Sequence, residues 1–316
     1  MYNSIQVSVC IPVFNRRDLV GDALRSALEQ DVPGYEVIVV DNCSIDGTWE
    51  YLQNFTDPRL RLYRNESNIG LYGNFNRCGE LAKGEYVLFL CSDDRLIPGF
   101  VERALAQMRS HPNSVLLSSR GRVLGPDGHT LGQTGNYFPA GLYDGDSVAT
   151  ACLWTMLWAG TNPFNYPSGA LFRADALKKE LPFQARFGTP ADIDIYLRTL
   201  QNGELIVVDE VGCEVIGHGG QYSSKAKQSG AFIDEMLTLL ESRRALLASL
   251  GAYERFRAQL AASIWAYRIR SKGVGQPANW PSFSLLQMAH AVSARLATRL
   301  LWRVGRQRLP YIQRIA

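Results

Sequence analysis

Four short apolar runs, rich in β-branched residues, constrain the fold of this chain more than any other feature. They are SVCIPV (8–13), EVIVVD (36–41), RLRLYR (59–64) and YVLFL (86–90), and segments with helical character separate them. Near-continuous apolar strands that alternate with helices are typical of βαβ units, in which helices cover both faces of the sheet. The sequence therefore predicts an α/β fold. Ligands are expected at the carboxyl ends of the strands.

Composition narrows the class of protein. With 316 residues, 46% hydrophobic and 20% charged, the chain is typical of a globular protein. It contains no run of 18 apolar residues, so no membrane-spanning helix is expected. The N-terminus lacks a basic region ahead of its apolar run, and we expect no signal peptide. The six cysteines lack CxxC or metal-site spacing, which favours reduced, mostly buried thiols in a cytoplasmic protein.

Carboxylates follow two of the apolar runs. Asp93 and Asp94 stand side by side after the fourth run. Neighbouring carboxylates repel each other unless a positive group lies close, and a divalent metal ion is the usual one. Asp41, at the end of the second run, is expected to contact a ligand through a ribose hydroxyl or a base N–H. Asp46 is better explained as the cap of the following helix.

Other strand ends offer weaker candidates. Pro12 lacks an N–H donor and is expected to end ladder pairing, while Phe14 offers an aromatic face to a base. Asn68 and Gly70 open a helix whose free N–H groups would suit a phosphate or polar ligand, although plain turn chemistry fits equally well. The absence of GxGxxG after the first run and of GxxxxGK[ST] disfavours dinucleotide and P-loop sites.

Three segments together are characteristic of one family. SVCIPVFNR, VIVVDNCSIDGT and NIGLYGNFNRCGELAKGEYVLFLCSDD resemble the family 2 glycosyltransferases, bacterial-type inverting enzymes of the GT-A fold. The resemblance extends over about residues 6–220. It implies that Asp41 holds the nucleotide base, that Asp93 touches the ribose, and that Asp94 binds Mn²⁺ or Mg²⁺ on the donor diphosphate. Many members carry a further Asp where this chain has Cys91. The remaining donor-side candidates are Pro12, Phe14, Asn15, Asn68 and Gly70.

The second half of the chain resembles the acceptor side of the family. SGALFRADALKKE (168–180) is similar to a small-residue strand and basic turn, and PADIDIYLRTLQNG (190–203) to the region of the catalytic base. The resemblance implies that Asp192 is the base, although a helix N-terminal carboxylate would explain it otherwise. Asp194 should face another way on the helix and is interpreted as structural. His218 is either a structural histidine or a metal ligand in a loop that closes over the diphosphate.

The resemblance implies transfer of one sugar from a UDP- or dTDP-type donor to an acceptor hydroxyl on a saccharide or lipid-linked saccharide. Such a reaction serves cell-surface polysaccharide or glycolipid assembly. The chain lacks the QxxRW motif of processive synthases, so non-processive transfer is expected. Two alternatives remain: a nucleotidyltransferase that makes sugar nucleotides, which would need a Gly-rich basic loop after the first run, and a non-catalytic sugar-binding module. No nucleic-acid partner is expected.

The end of the chain differs in charge from the rest. Residues 261–316 carry nine basic and no acidic side chains, whereas residues 1–260 carry a net charge of −6. We expect a catalytic domain over 1–222, with a donor half of about 1–125 and an acceptor half of about 126–222, and an all-helical extension over 223–316. Its basic stripe suggests either packing on the catalytic domain or a second subunit, giving a homo-oligomer, or peripheral binding to an anionic inner membrane face. The stripe consists of Arg295, Arg299, Arg303 and Arg306.

Overall fold

The computed structural model describes residues 4–135, 138–159, 164, 166–217, 221–229 and 231–243. The strands in these ranges are β1 (Val7–Val13), β2 (Tyr35–Asp41), β3 (Leu60–Arg64), β4 (Tyr86–Phe89), β5 (Arg95–Leu96), β6 (Ser114–Leu124), β7 (Thr130–Thr134), β8 (Gly141–Tyr143), β9 (Ala170–Arg173) and β10 (Glu204–Ile216). The helices are α1 (Val20–Leu28), α2 (Thr48–Leu52), α3 (Leu71–Leu81), α4 (Phe100–Ser110), α5 (Gly145–Ala159), α6 (Ala174–Glu180), α7 (Ala191–Thr199), α8 (Tyr222–Ser229) and α9 (Ala231–Ser242).

The four apolar runs form the parallel half of a single mixed sheet, as predicted. The sheet order is β3-β2-β1-β4-β9-β6-β10-β5, with β7 beside β6 and β8 beside β10. Pairing of β1 with β2 runs without a break from Val7–Tyr35 to Val13–Asp41. Every residue of these two strands is buried, which explains why both read as nearly continuous apolar sequence.

The second half of the sheet is mixed, a feature that the sequence does not predict. β9 runs antiparallel to both β4 and β6, whereas β10 runs parallel to β6. The small-residue strand expected within residues 168–180 is β9. The prediction of a basic turn after this strand is wrong, because Lys178 and Lys179 lie in the helix α6.

Pro12 does not end the pairing of its strand, so that prediction is also wrong. It pairs with Val40 of β2, and β1 continues to Val13. On the other side, pairing of β1 with β4 reaches only Cys10–Phe89, and the Cys10 carbonyl then accepts from Leu90 N. Alternate residues of a strand direct their backbone N–H and C=O groups to the same side, so Pro12, like Cys10, faces β4. The pairing with β4 has already ended there, and the missing N–H of Pro12 costs no ladder bond.

Helices cover both faces of the sheet. One buried cluster joins α1 and α4 to the sheet, and a second joins α3, α5, α7 and α9 to the opposite face. The cysteines and the helices agree with two expectations from the sequence. All six cysteines are free, and four of them are buried, as expected for reduced thiols. In the part of the chain that the structure describes, no helix is both long and apolar enough to cross a membrane.

The side-chain amide of Asn74, in α3, connects the carboxyl ends of β1 and β2. Its Nδ2 donates to the carbonyl oxygens of Val40 at 2.9 Å and Val13 at 3.4 Å. Its Oδ1 accepts from Asn65 Nδ2 at 3.0 Å, and the side chain is buried. The strand ends that frame the ligand edge of the sheet are therefore fixed by one amide.

We expect Asn74→Ala to lower the free energy of unfolding by about 1–3 kcal/mol, because it leaves buried polar groups without partners. Urea denaturation followed by circular dichroism measures this. The matched control is Asn54→Ala, since the exposed Asn54 bonds only to carbonyl groups of its own helical turn; its expected effect is within about 0.5 kcal/mol. Equal losses in the two variants would contradict the bridging role of Asn74.

Candidate active site

A cleft opens at the carboxyl ends of the parallel strands and brings together residues that lie far apart in the sequence. Its walls come from the loops after β1 and β4, from α3, from the segment before β9, and from the starts of α7 and α8. Among the predicted site residues it contains Pro12, Asp93, Asp94 and Asp192. The position agrees with the rule that ligands of open α/β sheets bind at this edge.

Asp94 is the most constrained carboxylate of the cleft. It is only 2% exposed, and Ser168 Oγ donates to its Oδ2 at 2.6 Å while Ile216 N donates to its Oδ1 at 3.4 Å. Burial, followed by the charge of Asp93, raises the pKa of Asp94 to about 8. Ser168 Oγ also accepts from Cys91 N at 3.1 Å. A single buried hydroxyl therefore orients Asp94 and the turn that carries it.

The chemistry of this carboxylate pair fits a divalent cation. Ligand atoms of Cys91, Asp93 and Asp94 all lie within 4.8 Å of one another. Burial and the two carboxylates raise the pKa of the Cys91 thiol, which keeps it neutral and makes it a poor ligand. Carboxylate oxygens are the ligands that Mg²⁺ and Mn²⁺ prefer, and a cation would relieve the repulsion that raises the pKa of Asp94. The other predicted metal ligand, His218, lies outside the described residues.

Asp192 lies in the first turn of α7 and lines the same cleft. Its Oδ1 accepts from Ile193 N at 2.7 Å. Burial raises the pKa of Asp192 to about 7, against the smaller opposing effect of backbone hydrogen bonds. A carboxylate with a pKa near neutrality can hold a proton taken from a hydroxyl and release it again, as a general base must.

Asp194 faces away from the cleft, as the helical spacing predicts. It is 1% exposed and accepts from Arg198 Nε at 2.9 Å and from Arg243 Nη2 at 2.7 Å. Arg198 belongs to α7 itself, whereas Arg243 directly follows α9. The interactions of Asp194 are therefore structural, and they hold α7 in the rotation that directs Asp192 into the cleft.

Comparison with known proteins identifies the family at this point. The family model described as "Glycosyl transferase family 2" matches residues 8–181, more than half of the chain. The chain belongs to this family. An uncharacterized protein of Mycobacterium tuberculosis is 41% identical over 96 residues, 30% of each chain. The Escherichia coli protein WfaP, a UDP-Glc:α-D-GlcNAc-diphosphoundecaprenol β-1,3-glucosyltransferase, is 35% identical over 88 residues, 28% of this chain and 35% of WfaP.

Solved structures of similar proteins agree with the GT-A fold predicted for this family 2 chain. Staphylococcus aureus TarS 1–349 in complex with UDP-GlcNAc matches with a TM-score of 0.59 and 20% identity, covering 92% of this chain and 80% of TarS. The mannosyltransferase PcManGT of Pyrobaculum calidifontis, in complex with GDP-Man and Mn²⁺, matches with a TM-score of 0.56 and 18% identity, covering 96% and 83%. At these identities the likeness shows the fold alone.

The remaining predicted donor residues of this glycosyltransferase family member do not line the cleft; Asp41 ends β2, and the others lie in loops. Asp41 is fully buried; its Oδ2 accepts from Ser44 N at 3.0 Å and pairs with Arg64 Nε at 3.4 Å. Its Oδ1 is buried and has no hydrogen-bond partner within the described residues. An unpartnered buried acceptor is costly, so a ligand N–H at this oxygen would be stabilising.

Two predicted donor residues stabilise loop structure. Asn15, in the left-handed region with φ of 51°, donates its N–H to Ser44 Oγ at 2.9 Å and accepts from Ile45 N at 3.0 Å. Asn68 Oδ1 accepts from Gly70 N at 2.9 Å. The side chains of both residues thus order the loops, and their contact with a donor remains a prediction, as it does for Gly70 and for the partly exposed Phe14.

Asp46 is not the N-cap residue of α2, because Gly47 occupies that position, but its side chain still bonds to the start of the helix. Its Oδ1 accepts from Thr48 N at 3.0 Å at the start of α2. Its Oδ2 accepts from Arg17 N at 3.1 Å, which connects this turn to the loop after β1. Asp46 therefore has a structural use that accounts for its position.

Sequence reasoning missed Ser168. The segment SGALF stood out for its small residues, but nothing in it shows that a hydroxyl would reach a carboxylate 74 positions earlier. Only the antiparallel pairing of β4 with β9 brings them together. A buried serine immediately before a predicted strand is too common a feature to have indicated this contact.

We expect Asp194→Ala to lower the free energy of unfolding by about 3–5 kcal/mol, because it removes the buried carboxylate that Arg198 and Arg243 share and leaves Arg198 with the longer 3.7 Å contact to Glu180. Thermal and urea unfolding measure the loss. Asp175→Ala is the matched control, since Asp175 also lies in a first helical turn and accepts from the next residue's N–H at 2.7 Å, but is exposed. Its expected effect is below about 1 kcal/mol. A loss in Asp194→Ala no larger than in the control would show that the ion pairs do not hold α7.

Proposed function

We propose that this chain is a metal-dependent, inverting and non-processive glycosyltransferase. It would move one sugar from a nucleoside-diphosphate donor of the UDP or dTDP type to the hydroxyl of a saccharide or lipid-linked saccharide, in cell-surface polysaccharide or glycolipid assembly. The observation that carries the proposal is that the Asp93–Asp94 pair and Asp192 line one cleft. The matched segments span only 30–41% of the length of the curated relatives. The proposed activity is therefore argued from the residues of the cleft and not from the activities of those relatives.

The donor side of the cleft would be formed by carboxylates at the ends of β2 and β4. Asp94 would hold Mn²⁺ or Mg²⁺ and Asp93 would contact the ribose, while the bound cation would stabilise the charge that develops on the leaving diphosphate. Ser168 keeps Asp94 oriented for that role. Asp41 offers its unpartnered Oδ1 to a base N–H, which is the group that the N3 position of uracil or thymine presents. The S. aureus neighbour, whose structure holds UDP-GlcNAc, supports a nucleotide sugar as donor.

The acceptor side would be centred on Asp192. As the acceptor oxygen forms its bond to the anomeric carbon, the bond from that carbon to the diphosphate oxygen breaks, and the acceptor proton passes to Asp192. One base, with the other two carboxylates of the described cleft, Asp93 and Asp94, assigned to the donor and its metal ion, favours attack from the face opposite the leaving group and hence inversion. With a pKa of about 7, Asp192 becomes ionised, and able to accept a proton, as the pH rises through neutrality.

The names of similar proteins support the acceptor class. WfaP is named for a diphosphoundecaprenol-linked acceptor, which agrees with a lipid-linked saccharide for this chain. Contact with an anionic membrane or with a second subunit through the basic stripe remains a prediction, because residues 244–316 lie outside the described residues. The cytoplasmic location and the division of the chain at residue 222 remain predictions as well.

We expect Asp192→Asn to reduce turnover by about 100-fold or more, the scale of general-base catalysis, while the affinity for UDP changes little. In the unaltered protein, turnover should rise with pH through about 7, because only ionised Asp192 accepts a proton. Release of UDP from UDP-sugars, followed between pH 5 and 9, measures both effects. Asp175→Asn, outside the cleft, is the control. Full activity of Asp192→Asn would show that another group is the base.

We expect Asp94→Asn to weaken UDP binding in the presence of Mn²⁺ by about 10-fold or more, since metal sites depend on their charged oxygen ligands. Calorimetry with UDP, with and without Mn²⁺, measures this. Asn retains an oxygen that can accept from Ser168, which limits structural damage. Cys91→Ser, at the third position of the cluster, should bind UDP and Mn²⁺ nearly as the unaltered protein does. If metal-dependent affinity survives in Asp94→Asn, the assignment of the metal ligand fails.

A further inference from the structure

One tyrosine that lines the cleft is partly exposed to solvent. Tyr222 is the first residue of α8 and lines the same cleft as Asp192, yet the residue is 45% exposed. Aromatic rings left in water lose the stabilisation that burial gives them. Its position beside the cleft therefore needs an explanation other than core packing.

Glu235 of α9 fixes the hydroxyl of this tyrosine. Tyr222 Oη donates to Glu235 Oε1 at 3.0 Å, and Glu235 Oε2 accepts from Thr189 N at 2.8 Å. The carboxyl group lies so close to Gly188 that a Cβ there would overlap it, and Gly188 has a φ of 57°, in the region that favours glycine. One carboxylate thus connects Tyr222 to the loop that leads into α7 and Asp192.

The ring and the backbone of Tyr222 are fixed as well. Tyr72 packs against the ring at 6.5 Å between centroids and 78° between planes, an edge-to-face contact. Tyr72 Oη donates to the Gly188 carbonyl oxygen at 2.6 Å. The neighbouring Gln221 donates from Nε2 to the Ile216 carbonyl oxygen at 3.0 Å. The exposed ring is therefore pre-organised by the bond of its hydroxyl, by its contact with Tyr72 and by the bond of the preceding residue.

A rigid exposed ring beside a base suits a sugar. A pyranose has one face dominated by C–H groups, which packs on the face of an aromatic ring while its hydroxyls stay free for hydrogen bonds. Tyrosine provides such a surface with little loss of side-chain entropy. Tyr222 is connected through Glu235 to Thr189, three residues before Asp192, whereas the carboxylates proposed for the donor follow β4. An acceptor that attacks opposite the leaving diphosphate must approach from the Asp192 side.

We propose that Tyr222 is the stacking platform for the acceptor, a pyranoside whose C–H face lies on the ring while one hydroxyl reaches Asp192. Glu235 is the positioning residue that holds the platform in register with the base. This inference rests on the proposed function and adds to it the residue that selects the acceptor. It implies an acceptor that ends in a pyranose with an unsubstituted C–H face.

Sugar binding by NMR tests the platform. The probes are methyl β-D-glucopyranoside, methyl N-acetyl-β-D-glucosaminide, methyl β-D-galactopyranoside and methyl α-D-mannopyranoside, each added to the full chain with UDP and Mg²⁺. We expect at least one probe to bind, with upfield shifts of its ring C–H protons and saturation transfer from aromatic protons. Tyr222→Ala should weaken that binding by about 10-fold or more, the scale of one aromatic contact, whereas Tyr222→Phe, which keeps the ring but lacks the bond to Glu235, should weaken it by less than Tyr222→Ala does.

The control is Tyr51→Ala, since Tyr51 is a half-buried tyrosine outside the cleft whose hydroxyl accepts from Arg25 Nη1 at 3.3 Å. Unchanged sugar affinity in Tyr222→Ala, or no binding of any probe to a protein that binds UDP, would overturn the platform while leaving the proposed function intact. Loss of UDP affinity with unchanged sugar affinity in Tyr222→Ala would assign the ring to the donor and also overturn it. Failure of the unaltered protein to bind UDP would instead overturn the proposed function and, with it, this inference.

Discussion

The burial of Asp94 beside Asp93 is the constraint on which the rest of the site depends. A carboxylate withdrawn from water next to a like charge is unfavourable in its ionised form, and its pKa of about 8 expresses this. The chain offsets the cost with donors from distant parts of the sequence, Ser168 before β9 and Ile216 at the end of β10. Through these two bonds, Asp94 joins the parallel half of the sheet to the mixed half.

The opposite wall of the cleft is organised around a second carboxylate pair on α7. Asp192 and Asp194 differ by two positions, so the helix turns one toward the cleft and the other toward the interior. The arginines around Asp194 come from α7 and from the end of α9, and Glu235 of α9 reaches the loop ahead of α7. The C-terminal helix of the described chain thus sets both the rotation of α7 and the position of its leading loop. The spacing between the two walls depends on these contacts.

Sequence patterns predicted the parts of this structure that depend on local chemistry. The runs that became β1, β2 and β4 are buried on both faces, so their apolar composition is a direct signal, and the different directions of Asp192 and Asp194 follow from helical geometry alone. The antiparallel β9 and the two-residue β5 escaped prediction because their pairing partners lie far away in sequence. The prediction for Pro12 was wrong because its missing N–H faces β4, and the sequence does not show where the pairing of β1 with β4 ends. Ser168, Tyr222 and Glu235 carry no local signal, since their importance comes entirely from tertiary contacts.

The anomeric configuration of the transferred sugar tests the central claim most directly. That claim is that Asp192 acts from the side of the anomeric carbon opposite the diphosphate that the Asp93–Asp94 pair would help to hold. Proton NMR during turnover of UDP-α-D-glucose or UDP-α-N-acetyl-D-glucosamine shows the configuration at the anomeric carbon before mutarotation of any released sugar. The account predicts that the β configuration appears first, in the glycoside or in the released sugar. Initial formation of the α configuration would contradict it, because retention is the outcome when a carboxylate acts as a nucleophile and not as a base toward the acceptor.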